Sequence, residues 1–206
     1  MKIIENVYQL DSAKGSYAYI IRDREVVLVD TGLPFKGKGI ISEIKSLGIE
    51  LGDIKHILLT HHDIDHIGNS YTLQQLTGAQ VWASGEDIPY IRGDLERHSF
   101  KKHLNRIFRV KIPENIKPYV PGQNINGIEV IPTPGHTPGH VCLLYKDVLF
   151  AGDLIKYKDG KPAPYPSAWN WDQTQIRESF EKISAVPFRW LCPAHGEPME
   201  IKDQPA

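Results

Sequence analysis

The chain has 206 residues, of which 41% are hydrophobic and 24% are charged, so it can form one domain with a full hydrophobic core. Its formal net charge of −1 provides no general attraction to nucleic acid or to an anionic membrane. No apolar run approaches about 20 residues and the start, "MKIIENVYQL", lacks the apolar segment of a signal peptide, so we expect a cytoplasmic protein with no membrane partner.

The first half of the chain alternates between strand-like and helix-like segments. Three short runs rich in β-branched and aromatic residues predict strands: "NVYQL", "SYAYIIR" and "EVVLVD". The next segment, "GIISEIKSLG", places its isoleucines and leucine on one helical face and ends at a glycine. A strand "IKHILLT", a helix "SYTLQQLTG" and a strand "AQVWAS" follow. This order predicts an α/β fold with helices outside a sheet.

The middle of the chain, at about residues 86–121, has a different character. Residues 94–110 predict a helix, and the segment from Arg97 to Lys111 contains six Lys or Arg residues and no acid. We interpret this region as a helical insert in a single domain spanning residues 1–206. Two roles stay open for it: attraction of an anionic substrate, or a solvated helix whose apolar face packs on the domain.

Strands return after Pro121 in the segments "GIEVIPT", "VCLLYKDVLFAGD" and "FRWLCPAH". One helix interrupts them, "DQTQIRESFEKISA", and it opens with a capping pattern from Asp172 to Gln175. The two cysteines, Cys142 and Cys192, lie in the apolar runs, which is typical of small core residues and not of a thiolate metal site.

The segment "HILLTHHDIDHIGN", residues 56–69, carries the strongest chemical signal. Three imidazoles and two carboxylates follow a strand within six positions: His61, His62, Asp63, Asp65 and His66. Such a density of titratable groups is costly to bury, and a metal ion satisfies many of them at once.

Three later loops, each next to a strand, supply further ligand types. "IPTPGHTPGH" contains His136 and His140, "VLFAGD" ends on Asp153, and "WLCPAHGEP" contains His195. Loops on a rigid sheet can fix the geometry of a metal site.

These four motifs occur in the order found in the metallo-β-lactamase superfamily, which has H-x-H-x-D-H, a His in a "PGHTPG" loop, an Asp ending a strand and a final His. The chain resembles this superfamily over nearly its whole length. The resemblance implies a four-layer αββα sandwich. It also places Asp30, in "VDTG", near the metal centre, although Asp30 could instead cap the following turn.

The resemblance also implies the metal ligands. The first site would use His61, Asp63 and His136, and the second would use Asp65, His66 and His195. Asp153 would bridge the two metals. The implied cofactors are two divalent metal ions, with zinc favoured.

One residue departs from the family motif, because Asp63 stands where the second His is usual. A carboxylate is a harder, charged ligand, so it weakens the case for zinc and raises that for iron or manganese. It could also leave the first site weak, so that only one metal is held tightly.

The resulting functional hypothesis is a metal-dependent hydrolase in which a metal-bound hydroxide cleaves an ester, lactone, thioester or phosphodiester. By resemblance, Asp65 orients the hydroxide and acts as a catalytic proton acceptor. No G-x-S-x-G motif offers a serine nucleophile. We expect a small-molecule substrate and no nucleic acid partner, while a homodimer stays open.

Two alternatives compete with hydrolysis. Asp63 suggests a di-iron redox protein that reduces oxygen or nitric oxide, because the related flavodiiron proteins have a carboxylate at the matching position. Against this, those proteins append a flavodoxin domain, for which no residues remain. The other alternative is a non-catalytic metal-binding module.

Three further features are assigned by position. We expect His62 to point away from the site and His140 to hydrogen-bond its own loop. The segment "YKDGKPAPYPSAWNWD", after Asp153, either forms the wall of an apolar substrate pocket or is a proline-stiffened loop.

Overall fold

The computed structural model describes residues 1–96, 108, 110–120, 122–158 and 161–201. The strands within these ranges are β1 (Lys2–Ile4), β2 (Val7–Leu10), β3 (Ala18–Arg22), β4 (Val26–Val29), β5 (Ile54–Leu58), β6 (Gln80–Ala83), β7 (Lys117–Pro118), β8 (Asn124–Ile125), β9 (Ile128–Pro132), β10 (Val141–Tyr145), β11 (Val148–Gly152), β12 (Ile155–Lys158), β13 (Lys161–Pro164), β14 (Trp190–Pro193) and β15 (Met199–Glu200). The α-helices there are α1 (Gly37–Ser46), α2 (Ile64–Ile67), α3 (Ser70–Thr77), α4 (Ile88–Arg92) and α5 (Gln173–Ser184). Short 3₁₀ helices cover Asp11–Ala13, Leu51–Asp53 and Ser167–Trp169.

Two large sheets contain most of the described strands. The first follows the chain order from β1 to β7, antiparallel up to β4 and parallel from β4 onward. Parallel neighbours need crossover connections, and α1 and α3 lie in two of these. The second sheet has the order β15-β14-β11-β10-β9-β8, and β11 and β14 are parallel. Ligand sites in sheets of this kind lie beyond the carboxyl ends of the parallel strands.

Three apolar clusters define the layers. On one face of the first sheet, Ile20 belongs to a cluster with Ile44 of α1. The neighbouring residue Tyr19 points to the opposite face, where its ring lies 5.1 Å from that of Phe150 in the second sheet. The far side of the second sheet packs on α5 through Ile176. The predicted four-layer αββα sandwich is therefore confirmed.

Local signals at helix ends agree with the structure. Gly78 follows α3 with a φ of 69°, a conformation that glycine adopts without steric cost. The Asp172 side chain accepts hydrogen bonds from the backbone N–H groups of Thr174 (2.7 Å) and Gln175 (3.0 Å), so it caps α5 as predicted. The sequence interpretation missed α2, α4 and the β12–β13 hairpin, which occupies part of the segment after Asp153.

The predicted helical insert at about residues 86–121 is described only in part. Its first portion contains α4, and its last portion contains β7, where Lys117 pairs with Trp82 of β6. Most of the predicted 94–110 helix falls on residues 97–107 and 109, which lie outside the described residues. None of the helices in the described ranges is both long and apolar enough to cross a membrane.

Candidate metal centre

The first three predicted ligands form one cluster. His136 Nε2 lies 3.1 Å from Asp63 Oδ2, and His61 Nε2 lies 3.7 Å from the same oxygen. One donor atom from each of the three residues lies within 4.8 Å of the other two, and all three residues are buried. Asp63 comes just before α2 with extended backbone (φ −65°, ψ 148°), which separates it from the helical residues that follow.

The second set of predicted ligands forms a neighbouring cluster. Asp65 Oδ2 lies 3.3 Å from His195 Nε2 and 3.8 Å from His66 Nε2. Asp65 and His66 belong to α2, whereas His195 follows β14 of the other sheet. Asp65 and His195 are partly exposed, so this cluster faces the solvent side of the centre.

Asp153 lies between the two clusters. Its Oδ1 is 3.4 Å from His66 Nε2 and 3.3 Å from His195 Nε2, while its Oδ2 is 3.4 Å from His136 Nε2. The side chain is 5% exposed. The structure therefore brings together all seven predicted residues, and one carboxylate faces both groups.

Hydrogen bonds to Nδ1 fix how two of the imidazoles face the centre. His195 Nδ1 donates to the carbonyl oxygen of Gly15 (2.6 Å), since a carbonyl can only accept. His66 Nδ1 donates to Asp30 Oδ2 (2.8 Å). In both residues Nε2 therefore faces the site without a proton when the ring is neutral, as metal ligation requires.

The other two imidazoles are fixed in the same way. The Asn170 amide donates to the Tyr165 carbonyl (2.9 Å), which turns its oxygen toward His136 Nδ1 (3.0 Å). Thr60 Oγ1 donates to Asp30 Oδ2 (2.7 Å) and so accepts from His61 Nδ1 (3.0 Å).

The donor set fits a divalent cation. His61 is fully buried, and its Nε2 makes no hydrogen bond with any described residue. Burial lowers the pKa of His61 well below its usual value, which keeps the lone pair available. The converging carboxylates of Asp153 and Asp65 raise the pKa of His195 to about 10, although burial acts in the opposite direction. A site this negative favours a cation, and imidazole with carboxylate suits zinc, iron or manganese.

Comparison with known proteins identifies the family of the chain. The sequence profile described as "Metallo-beta-lactamase superfamily" matches residues 12–195. The chain belongs to the metallo-β-lactamase superfamily. It is similar to the uncharacterized protein YobT of Bacillus subtilis, with 31% identity across 87% of this chain and 82% of YobT. It is also similar to YflN of Bacillus subtilis, named "probable metallo-hydrolase", with 28% identity across 97% of this chain and 83% of YflN.

A solved structure has a similar fold. TTHA1623, described in a di-iron-bound form, superposes with a TM-score of 0.71 and 23% identity, covering 90% of this chain and 89% of the other. At that identity the likeness to TTHA1623 is one of fold alone. The resemblance to the superfamily, inferred from the four motifs, is confirmed by the sequence profile.

Both ring nitrogens of His140 have hydrogen-bond partners, so neither is free to join the two clusters. Its Nε2 accepts a hydrogen bond from the Asp153 backbone N–H (3.1 Å), and its Nδ1 lies 2.9 Å from Thr133 Oγ1. Burial lowers the pKa of His140 to about 3, so the ring is neutral. A Cβ on Gly152 would lie 2.6 Å from His140 Nε2, so the close approach requires glycine. The expected hydrogen bond between His140 and its own loop is confirmed by the contact with Thr133.

His62 belongs to neither cluster, although its Nε2 lies 3.8 Å from Asp63 Oδ1. Its ring stacks on Tyr90 with centroids 4.6 Å apart, and its Nδ1 lies 3.0 Å from Asp87 Oδ1. Sequence interpretation missed Asp87, because it lies in "SGEDIPY", at the edge of the predicted insert and outside the four ligand motifs.

Tyr165 is a second residue that sequence interpretation missed. Its ring centroid lies 5.2 Å from that of His136 and 5.8 Å from that of His195. Burial and then the charges of Asp153 and Asp65 raise its pKa, so the hydroxyl keeps its proton beside Asp153. The sequence contained one signal for it, the aromatic-rich segment after Asp153, but no spacing rule that selected this tyrosine.

The cysteines are unsuited to nucleophilic chemistry. Cys142 and Cys192 are buried in the core and are free thiols. Burial raises the pKa of Cys142 to about 12 and that of Cys192 further, so neither forms a thiolate near neutral pH. Their predicted role as core residues is confirmed.

Proposed function

We propose that the protein is a metal-dependent hydrolase with a binuclear centre. The position of Asp153 carries the proposal, because its two carboxylate oxygens face different clusters at 3.3–3.4 Å. In the proposed assignment the ligands of the first ion are His61, Asp63 and His136. Those of the second ion are Asp65, His66 and His195, with Asp153 shared.

The chain's own residues would divide the chemistry between binding and proton transfer. When bound, a pair of divalent ions supplies Lewis acidity and makes water a nucleophile near neutral pH. Asp65 is the most exposed of the three aspartates in the two clusters, with 23% of its side chain accessible. It can therefore contact a water molecule and accept its proton. The Tyr165 hydroxyl, protonated and close to Asp153, can donate to a substrate oxygen.

The proposed substrate is a small molecule with an ester, lactone, thioester or phosphodiester bond. The name of YflN, "probable metallo-hydrolase", supports hydrolysis in general. The absence of a thiolate nucleophile among the described cysteines supports attack by water in place of a covalent intermediate. Zinc is the proposed metal, and no nucleic acid partner is proposed.

Asp63 favours one alternative function, a di-iron redox protein. Its carboxylate lies 3.1 Å from His136 Nε2, and a hard oxygen ligand at that position suits iron better than a third imidazole would. Iron that is oxidised and reduced with turnover of oxygen or nitric oxide would favour this alternative over hydrolysis.

The first experiment is elemental analysis of protein purified without added metal, followed by hydrolysis assays on the four substrate classes. We expect about two ions per chain and an activity that a chelator removes and added zinc or manganese restores. Asp65→Ala should abolish turnover while the variant stays folded, and Asp53→Ala, at an exposed acid in a 3₁₀ helix, should keep full activity. A chain that takes up no metal, or hydrolysis that survives complete metal removal, would contradict the proposal.

A further inference from the structure

The carboxylate of Asp87 lies between the two loops that carry the first cluster. Its Oδ2 accepts from the backbone N–H of His62 (2.9 Å) and from Thr137 Oγ1 (2.8 Å), and its Oδ1 accepts from the backbone N–H of Gly139 (2.8 Å). Asp87 is fully buried. One side chain therefore joins two distant loops. His62 in the first loop is 25 residues from Asp87, and Thr137 and Gly139 in the second are 50 and 52 residues away.

The position of Asp87 in the chain makes this use of its side chain unusual. It is the N-cap residue of α4, where an aspartate commonly accepts from the first N–H groups of the helix. Here the side chain makes no such capping bond. The carboxylate instead turns toward the loops, so a helix-capping role does not account for the residue.

The backbone of Gly139 approaches the carboxylate closely, and a side chain at that position would collide with it. A Cβ on Gly139 would lie 2.8 Å from Asp87 Oδ1 and 2.6 Å from Ser84 Oγ. On the other side, the ring of Tyr90 stacks on His62, whose Nδ1 is also 3.0 Å from Asp87 Oδ1. Asp87 thus connects the two loops at a point where both backbones approach it closely.

Two of the three hydrogen-bond donors to Asp87 are direct chain neighbours of the proposed first-site ligands. His62 lies between His61 and Asp63, and Thr137 follows His136. The second cluster is held by other groups, since Asp30 binds the Nδ1 of His66 and the Gly15 carbonyl binds that of His195. The hydrogen bonds that the Asp87 carboxylate accepts come from residues next to, or three positions after, ligands of the first cluster.

We infer that Asp87 is a positioning residue for the first metal site: it sets the distance between the loop of His61 and Asp63 and the loop of His136. This inference rests on the proposed binuclear function. Its consequence is selective, because loss of the carboxylate should weaken the first site and leave the second unchanged.

The test measures the affinity of each site by titrating metal-free protein with zinc in competition with a chromophoric chelator. Asp87→Asn keeps the size of the side chain but replaces one acceptor oxygen by an amide donor. We expect one of the two ions to lose about 10- to 100-fold in affinity, with the other changed less than about twofold. Isolation without added metal should then give about one ion per chain.

A milder variant covers the case in which Asp87→Asn does not fold. Thr137→Val removes one hydrogen bond to Asp87 and keeps the shape of the side chain. The matched control is Thr77→Val, because Thr77 is also buried and donates to a carbonyl (Leu73, 2.7 Å), but within α3. We expect Thr137→Val to weaken one site by a few-fold to about tenfold, and Thr77→Val to change neither.

The inference would be overturned if each site of Thr137→Val bound zinc as tightly as the same site of the wild type. An equal loss of affinity at both sites would also overturn it. Those outcomes leave the proposed function intact, provided that the wild type binds two ions and hydrolyses substrate. A wild type that binds no metal would overturn both together, so the two failures are distinguishable.

Discussion

His66 Nδ1 and Asp30 Oδ2 lie 2.8 Å apart in the buried interior, although 36 residues separate them in the chain. Asp30 also accepts from the backbone N–H of Thr60 (2.8 Å) and from its hydroxyl (2.7 Å). Its backbone is in the left-handed region at φ 55°, where a non-glycine residue is uncommon. One carboxylate thus orients a proposed ligand of the second site and anchors the loop that begins the motif.

Replacement of this carboxylate should affect both stability and metal binding. In Asp30→Asn an amide donor would face groups that are themselves donors, so we expect the free energy of unfolding of metal-free protein to fall by about 2 kcal/mol. The affinity of the second site should fall about 10- to 100-fold. Urea unfolding and metal titration measure the two effects. Asp11→Asn is the control, because the Asp11 side chain is 69% exposed, and its stability should stay within about 0.5 kcal/mol of wild type.

Asp63 is predicted to control how many ions are bound and which metal is preferred. Asp63→Ala should reduce the metal content toward one ion per chain, because the first cluster would keep only its two imidazoles. Asp63→His should shift the preference toward zinc, since imidazole is a softer ligand than carboxylate. Elemental analysis after equilibration with equal zinc, iron and manganese measures both. An unchanged stoichiometry in Asp63→Ala would show that Asp63 is not a ligand.

Tyr165 is predicted to act on the substrate and not on metal binding. Tyr165→Phe removes only the hydroxyl and keeps the ring that contacts His136 and His195. We expect kcat to fall roughly 100-fold, as on loss of one donor to a developing oxyanion, with the metal content unchanged. Tyr8→Phe is the control, because the Tyr8 hydroxyl makes an exposed hydrogen bond to the Glu5 carbonyl. A loss of metal in Tyr165→Phe would contradict the assignment.

The loop of His136 should tolerate no side chain at Gly135. Its φ is +133°, and a Cβ there would lie 2.4 Å from Ile176 N at the start of α5. Gly135→Ala should therefore lower the free energy of unfolding by about 2 to 4 kcal/mol, from overpacking and backbone strain together. At Gly52 a Cβ would meet nothing within 4 Å, so Gly52→Ala should change stability by less than about 0.5 kcal/mol. Thermal or urea unfolding of the two variants gives the comparison.

Local patterns in the sequence were sufficient for the α/β class and for the types of ligand, and the resemblance to the superfamily implied the four-layer arrangement. Helix and strand periods, the Asp172 cap and the glycine that ends α3 depend on neighbours in the chain, so each could be interpreted without tertiary contacts. The segment "HHDIDH" places ligands of both proposed sites within six positions, and the three later loops complete the resemblance to the superfamily. The binuclear assignment itself stays a prediction that metal analysis tests.

Only the tertiary structure decided which groups orient those ligands. The amide of Asn170 meets His136 across 34 positions, and the carboxylate of Asp87 meets Gly139 across 52. By itself the sequence shows Asn170 in an aromatic loop and Asp87 at the edge of the predicted insert, and neither position has a period or spacing that predicts its partner. The physical reason is that a single buried hydrogen bond between distant residues constrains two positions only, whereas a strand, a helix or a ligand motif repeats its constraint over many adjacent residues.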